Sequence, residues 1–178
     1  SLSRRQRQMC IRDSIIYSAI QAYYSIAGNF ESKSSYHPHT KPVILGILIC
    51  IFIEIIIGTE IRGGLDMSRK ENPLIEGVIL LKMLGPFKYI HTILGLSLLG
   101  LTVYLWKIIN DNKFISSSFM VNSVNFIMGL IITQIILGEA LVFLEVKPVM
   151  QLFHMWFSSI LVGLSVATYT FHRISVQQ

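Results

Sequence analysis

The run PVILGILICIFIEIIIGTEI at residues 42–61 decides the fold. It is apolar except for Thr59, Glu54 and Glu60. The hydrocarbon core of a bilayer is about 30 Å thick, and about 20 apolar residues in an α-helix cross it. Because backbone polar groups in lipid must be satisfied within their own segment, a lone run of this length has to be helical. The run therefore predicts a transmembrane helix.

Three further apolar runs have the same length and character, at residues 89–109, 119–144 and 150–171. A polar segment of mixed charge, residues 62–88, separates the first two runs, whereas only a few residues separate the last two. The connector 107–118 should lie on the opposite side of the membrane from both hairpin loops. With 52% hydrophobic and 14% charged residues, the chain predicts an all-α integral membrane four-helix bundle made of two hairpins.

The sequence lacks the motifs of several common kinds of active site. Cys10 and Cys50 are far apart in the sequence and form neither a CxxC pair nor a disulfide framework. The sequence also contains no phosphate-binding loop, dinucleotide fingerprint or nucleophile triad. We expect no nucleic-acid partner, and we expect any chemistry to be carried by a bound cofactor.

The amino-terminal segment has a different character. Residues 1–14, SLSRRQRQMCIRDS, carry four arginines and show no hydrophobic period. They resemble translated adapter sequence, and we expect them to be a non-native artefact. A basic patch on anionic lipid is the alternative. Residues 15–41 are then the tail of a truncated helix and a loop, and residues 42–173 form the four-helix transmembrane domain.

An internal repeat relates the two predicted hairpins. Residues 54–61, EIIIGTEI, align with residues 134–141, QIILGEAL, and each segment ends the first helix of a hairpin. Likewise His91 and His154 each follow a bulky apolar residue at the start of a second helix. Functional sites of repeated membrane proteins often lie between the repeats. The alignment predicts that His91 and His154 lie at the same depth, with Glu54 and Gln134 facing the bundle interior.

A single histidine near a helix end is usually an interfacial side chain, but a matched pair favours a cofactor. Two imidazoles on different helices can bind a haem iron from both faces. Arg62 follows Gly58 by one helical turn, where it could pair with the propionates of such a haem or extend to lipid headgroups. The candidate site is therefore His91 and His154 as axial ligands, with Arg62 at the rim.

These residues resemble the haem A synthases, eight-span membrane proteins made of two similar four-helix halves. The resemblance covers residues 41–172. Its most specific element is QIILG at 134–138 with Pro148 and LFH at 152–154; GTEIR at 58–62 and YIH at 89–91 are also similar. It implies that this chain is the C-terminal half, binding haem b through His91 and His154, and that a missing N-terminal half oxidises the haem O methyl group to the formyl of haem A.

The resemblance also implies an enzyme class, a location and partners for the protein. It would be part of an oxidoreductase acting on CH or CH2 groups in the bacterial plasma membrane, inactive as a fragment, with haem O synthase and membrane lipid as further partners. Two departures matter. Lys88 stands where the catalytic half of the family has a glutamate, and residues 63–88 lack the cysteine pair that many members carry. A free-standing b-type membrane cytochrome and a haem-free transporter or assembly protein remain alternatives.

Overall fold

The computed structural model describes residues 35–72, 74, 79, 85–111, 114, 116–144 and 147–177. The expectations for residues 1–14 and for most of 15–41 lie outside them. The described chain forms four α-helices: α1, Thr40–Glu71; α2, Phe87–Ile109; α3, Ser118–Phe143; and α4, Pro148–Gln177. No β-strand occurs in this described part. All four helices are long and apolar enough to span a membrane, which confirms the predicted all-α, multi-pass architecture.

Local chemistry explains where three of the helices begin. The Ser117 side chain accepts a hydrogen bond from the backbone N–H of Met120 at 3.3 Å, which caps α3. Gly85 has a φ of +67° and is followed by Pro86, the cap of α2. Only glycine adopts this left-handed conformation without strain, so the chain turns there. Pro148 opens α4 at a position where its missing N–H costs nothing.

Helix α1 continues well past the predicted span, which ended at residue 61. Its 32 residues correspond to about 48 Å at 1.5 Å per residue, more than a bilayer core needs. The added turns are charged and include a contact of 3.9 Å between Arg62 Nε and Asp66 Oδ2, four residues apart. The apolar run shows only which part of the helix lies in lipid. Because the backbone hydrogen bonds of a helix can continue into water, the run underestimates the length of α1.

The helices pack as a ring. Helix α1 packs against α2 and α4, and α3 packs against the same two helices, so α2 and α4 occupy opposite corners. At one end of the ring, His39 Nδ1 lies 3.0 Å from the Tyr104 hydroxyl, and the Tyr36 ring contacts His172. The start of α1 therefore lies beside the ends of α2 and α4. The other end, which carries His91 and His154, is called here the histidine end.

Each helix turns a regular stripe of residues into the bundle, spaced at alternating intervals of four and three residues, as in a coiled coil. The stripes form successive layers of four residues, one from each helix. Four lower layers fill the bundle away from the histidine end, and none of their members is more than 5% exposed. In order from the histidine end they are Ile51, Leu98, Ile131 and Leu161; Ile47, Thr102, Ile127 and Ser165; Ile44, Leu105, Val124 and Thr168; and Thr40, Ile109, Met120 and His172.

The same stripes continue toward the histidine end with different residues. The first layer contains two histidines and two glycines, and the second contains a carboxylate, an amide, a glycine and a hydroxyl. All eight residues are half-buried. These upper two layers are Gly58, His91, Gly138 and His154; and Glu54, Gly95, Gln134 and Ser158. The interior of the bundle therefore changes from sealed and mainly apolar to polar and partly accessible.

Candidate functional site

The structure brings the two predicted ligand histidines together. His91 projects from α2 and His154 from α4, the helices at opposite corners of the ring. Their ring centroids are 6.4 Å apart, and the ring planes are inclined at 67°. The two residues lie on helices that are not consecutive in the chain, so the packing of the helices sets this separation. The prediction that the histidines share one depth is consistent with this geometry.

Glycines occupy the other two corners of the first layer. A Cβ atom placed on Gly58 would lie 3.5 Å from Cε1 of His91, and one placed on Gly138 would lie 3.9 Å from Cε1 of His154. Each imidazole therefore packs against bare backbone of a neighbouring helix. The absence of side chains on Gly58 and Gly138 lets the imidazoles and the backbones of α1 and α3 approach one another closely.

Glu54 joins the site from the second layer. One oxygen of its carboxylate is in ion-pair contact with Nδ1 of His91, and its side chain is only 11% exposed. Gly95, one turn after His91 on α2, makes room for it: a Cβ there would be 3.5 Å from Glu54 Oε1. Sequence reasoning placed Glu54 in the bundle interior but did not predict this contact. The matched spacing of Glu54 to Gly58 and of His91 to Gly95 was the signal that could have found it.

The corresponding groups around His154 are arranged differently. Gln134 Nε2 donates a hydrogen bond of 2.8 Å to the backbone carbonyl of His154, and the Ser158 hydroxyl donates to the same carbonyl at 2.8 Å. Both groups therefore bind the backbone of α4, and neither makes a hydrogen bond to Nδ1 of the His154 imidazole in the described chain.

Several buried polar atoms in the upper layers lack a partner. Nδ1 of His154, Oε1 of Gln134 and Oε1 of Glu54 make no hydrogen bond within the described part of the chain. A buried polar atom without a partner costs about 1–3 kcal/mol, so such atoms in a native protein call for an explanation. Thr40 Oγ1, Ser165 Oγ and His172 Nδ1 in the lower layers also lack a partner in the described chain, so such atoms are not confined to the histidine end.

Arg62 lies at the rim of the site, above the first layer. It donates to the sulfur of Met155, the residue after His154, and also lies near Asp66. Met155 was not among the predicted site residues, because a methionine on an apolar helix carries no distinctive signal. Arg62 is therefore adjacent to the histidines and one third exposed, as expected for a group that could meet a ligand's charged edge.

The remaining histidines lie at the opposite end of the bundle. His37 and His39 contact each other with ring centroids 4.9 Å apart, and His172 is buried beside Tyr36. Across the described residues, no cluster of three or more His, Cys, Asp or Glu side chains is placed to hold a metal ion. The His91 and His154 pair is instead a two-ligand arrangement, which suits a metal whose other ligands come from a macrocycle.

Comparisons of the chain with protein-family models, with curated proteins and with solved structures gave no match in any of the three.

Proposed function

We propose that this chain binds one haem b between His91 and His154 and transfers electrons as the C-terminal half of a haem A synthase-like membrane oxidoreductase. The observation that carries the proposal is the separation of the two rings. An imidazole nitrogen binds a transition metal at about 2 Å, so two imidazoles on opposite faces of one ion have centroids about 6 Å apart. The measured separation is 6.4 Å.

The residues around the pair also suit a planar group. A plate held between rings on α2 and α4 has its edges toward α1 and α3, where Gly58 and Gly138 present no side chains. Four-helix bundles commonly build cofactor sites from side chains on facing helices in this way. Arg62 at the rim would pair with a propionate carboxylate, for which a guanidinium is well shaped.

Haem b, when bound, accepts and donates single electrons. The part of this chain would be to hold the haem through His91 and His154, and a haem held by two histidines would serve electron transfer. In this proposal the chain would pass electrons, and a partner half of the enzyme would oxidise haem O to haem A. The fragment alone would be inactive, and haem O synthase would supply the substrate in the bacterial plasma membrane.

The proposal includes the internal repeat. We treat α1 with α2, and α3 with α4, as two copies of one hairpin in an eight-span whole. The support is that Gly58 faces His91 and Gly138 faces His154, at corresponding positions of the aligned segments.

One observation favours a second candidate, a free-standing b-type membrane cytochrome. The four helices close into a ring with four sealed layers, so the bundle needs no additional helix to bury its interior. Both candidates use the same haem site. They differ in whether the protein takes part in converting haem O to haem A. The sealed layers give no support to the third alternative, a haem-free transporter or assembly protein with a path along the bundle axis.

The test of haem binding is a reduced-minus-oxidised absorption spectrum of the chain, purified in detergent from cells supplied with haem precursor. We expect a b-type spectrum with one haem per chain, which His91→Ala and His154→Ala each abolish or convert to a high-spin form. The matched control is His39→Ala, an exposed histidine at the other end of the bundle, which should leave the spectrum unchanged. Haem-free wild-type protein with intact helical circular dichroism would overturn the proposal.

A further inference from the structure

The contact between Glu54 and His91 involves one particular nitrogen of the imidazole. An ionised carboxylate only accepts hydrogen bonds, so an imidazole nitrogen that bonds to it has to carry the proton. That nitrogen is Nδ1 of His91. In the neutral imidazole, a proton on Nδ1 leaves Nε2 with the free lone pair that a metal needs, because the tautomer of a histidine follows from the hydrogen bond its second nitrogen makes.

The environment of Glu54 is built to keep the carboxylate in this place. Its side chain is 11% exposed, compared with 32% for His91, so Glu54 lies deeper in the bundle and approaches the ring from the layer beneath. Gly95 leaves the surface of α2 open for it, with only 3.5 Å between Glu54 Oε1 and a Cβ at that position. A Cβ at position 95 would be in ordinary van der Waals contact with Glu54, so only a side chain that extends beyond Cβ would compete with the carboxylate for this space.

The other hairpin lacks this arrangement. At the position aligned with Glu54 stands Gln134, whose amide donates to the backbone carbonyl of His154. At the position aligned with Gly95 stands Ser158, which donates to the same carbonyl. Nδ1 of His154 has no hydrogen-bond partner in the described chain. One histidine of the pair therefore has a carboxyl group against its ring nitrogen and the other does not.

We propose that Glu54 is a positioning residue for His91: it accepts the Nδ1–H, directs Nε2 toward the haem iron, and makes His91 the more electron-donating of the two axial ligands. This inference rests on the proposed haem function. A carboxylate behind a ligating histidine fixes its tautomer and raises its basicity, and loss of such a partner typically lowers metal affinity by about 10-fold to 100-fold. Stronger donation stabilises the ferric state, so Glu54 lowers the reduction potential.

The first test is the midpoint potential of the bound haem in wild-type protein, Glu54→Gln and Glu54→Leu. Glutamine keeps the shape and an acceptor but removes the charge, and leucine removes the acceptor as well. We expect the potential to rise in that order, by about a tenfold change in the reduction equilibrium for Glu54→Leu, which for one electron is about 59 mV. Glu60→Gln removes an exposed charge from the same helix and should leave the potential unchanged.

The second test does not use haem. In haem-free protein with ¹⁵N-labelled histidine, the imidazole nitrogen shifts of His91, assigned with His91→Ala, report its tautomer. We expect the Nδ1–H form in the wild type and a mixture of tautomers in Glu54→Leu, with unchanged circular dichroism.

The two tests separate the failure of this inference from the failure of the proposed function. If haem binds but neither the potential nor the tautomer changes in the Glu54 variants, the positioning role is wrong and the haem site stands. If no variant, the wild type included, binds haem, the proposed function fails, and the tautomer alone decides whether Glu54 orients His91.

Discussion

The upper two layers and the lower four layers of the bundle share the same helices and the same spacing but are packed in opposite ways. Below, residues such as Leu105 and Ile127 are at most 1% exposed. Above, glycine, serine and partly accessible polar side chains replace them. The polar residues do not follow this division. In the lower layers the hydroxyls of Thr102 and Thr168 donate to their own helices at 2.9 and 2.8 Å. Buried polar atoms without a hydrogen-bond partner in the described chain occur both there, on Thr40, Ser165 and His172, and in the upper layers, as on His154.

The contrast indicates that the lower layers stabilise the bundle and that the upper layers contribute less to its stability. Close-packed side chains in the lower layers hold the helices at fixed positions. The upper layers break the rules of good core packing at eight adjacent positions, and such local violations concentrate at functional sites. The lower layers therefore act as the scaffold that sets the distance between His91 and His154.

The largest expected effect is on stability and comes from opening a cavity in the lower layers. Leu105→Ala should cost about 2–5 kcal/mol, because the surrounding helices cannot fully collapse into the space. The matched control is Leu96→Ala on the same helix, where the side chain is 56% exposed and should cost far less. Unfolding in mixed micelles with increasing denaturing detergent measures both. Equal losses for the two variants would contradict the division into a sealed scaffold and an open site.

The next effect is on haem binding and comes from filling the upper layers. Gly58→Leu and Gly138→Leu place side chains against His91 and His154, and overpacking of this kind costs about 1–3 kcal/mol. Haem affinity should fall by about 10-fold to 100-fold, since each tenfold corresponds to about 1.4 kcal/mol. Haem titration of the apoprotein, followed by absorbance, measures the change.

The controls for the glycine variants lie on the same helices. Gly46→Leu on α1 and Gly129→Leu on α3 add the same side chain where no atom lies within 4 Å of a Cβ. Haem binding should be unaffected in both. If the control variants lose haem as strongly as the site variants, the glycines at the histidine end have no special role.

The smallest effect concerns the hydrogen bond between α3 and α4. Gln134→Leu removes the donor to the His154 carbonyl, but the Ser158 hydroxyl still satisfies that carbonyl. Interhelical hydrogen bonds in membranes contribute about 0.6 kcal/mol on average, so we expect a loss of that order in the detergent unfolding assay. A loss of several kcal/mol would mean that Gln134 has a structural role beyond this single bond.

Much of the fold could be predicted from the sequence, because hydropathy and length report directly on the bilayer. The four spans, the all-α class and the proximity of His91 to His154 all came from apolar runs and from one internal alignment. The end of α1 at Glu71 could not be predicted in this way, since its last turns are charged and leave no hydropathic signal.

The site was predictable only in part. His91 and His154 are ionisable residues in apolar runs, so they stand out, and Arg62 follows a conspicuous glycine. The contact of Glu54 with His91 depends on the relative register of α1 and α2, and a list of spans does not specify register. Met155 carries no polar signal at all, and only the packing of α1 against α4 shows that it meets Arg62.

The measurement that tests the central claim most directly is electron paramagnetic resonance of the oxidised, detergent-purified chain. Two imidazoles on one ferric haem give a low-spin signal, and we expect it at one haem per chain, with conversion to a high-spin signal in His154→Ala. A high-spin signal in the wild-type protein, or a low-spin signal that survives the loss of both His91 and His154, would contradict the proposal that this pair holds the haem.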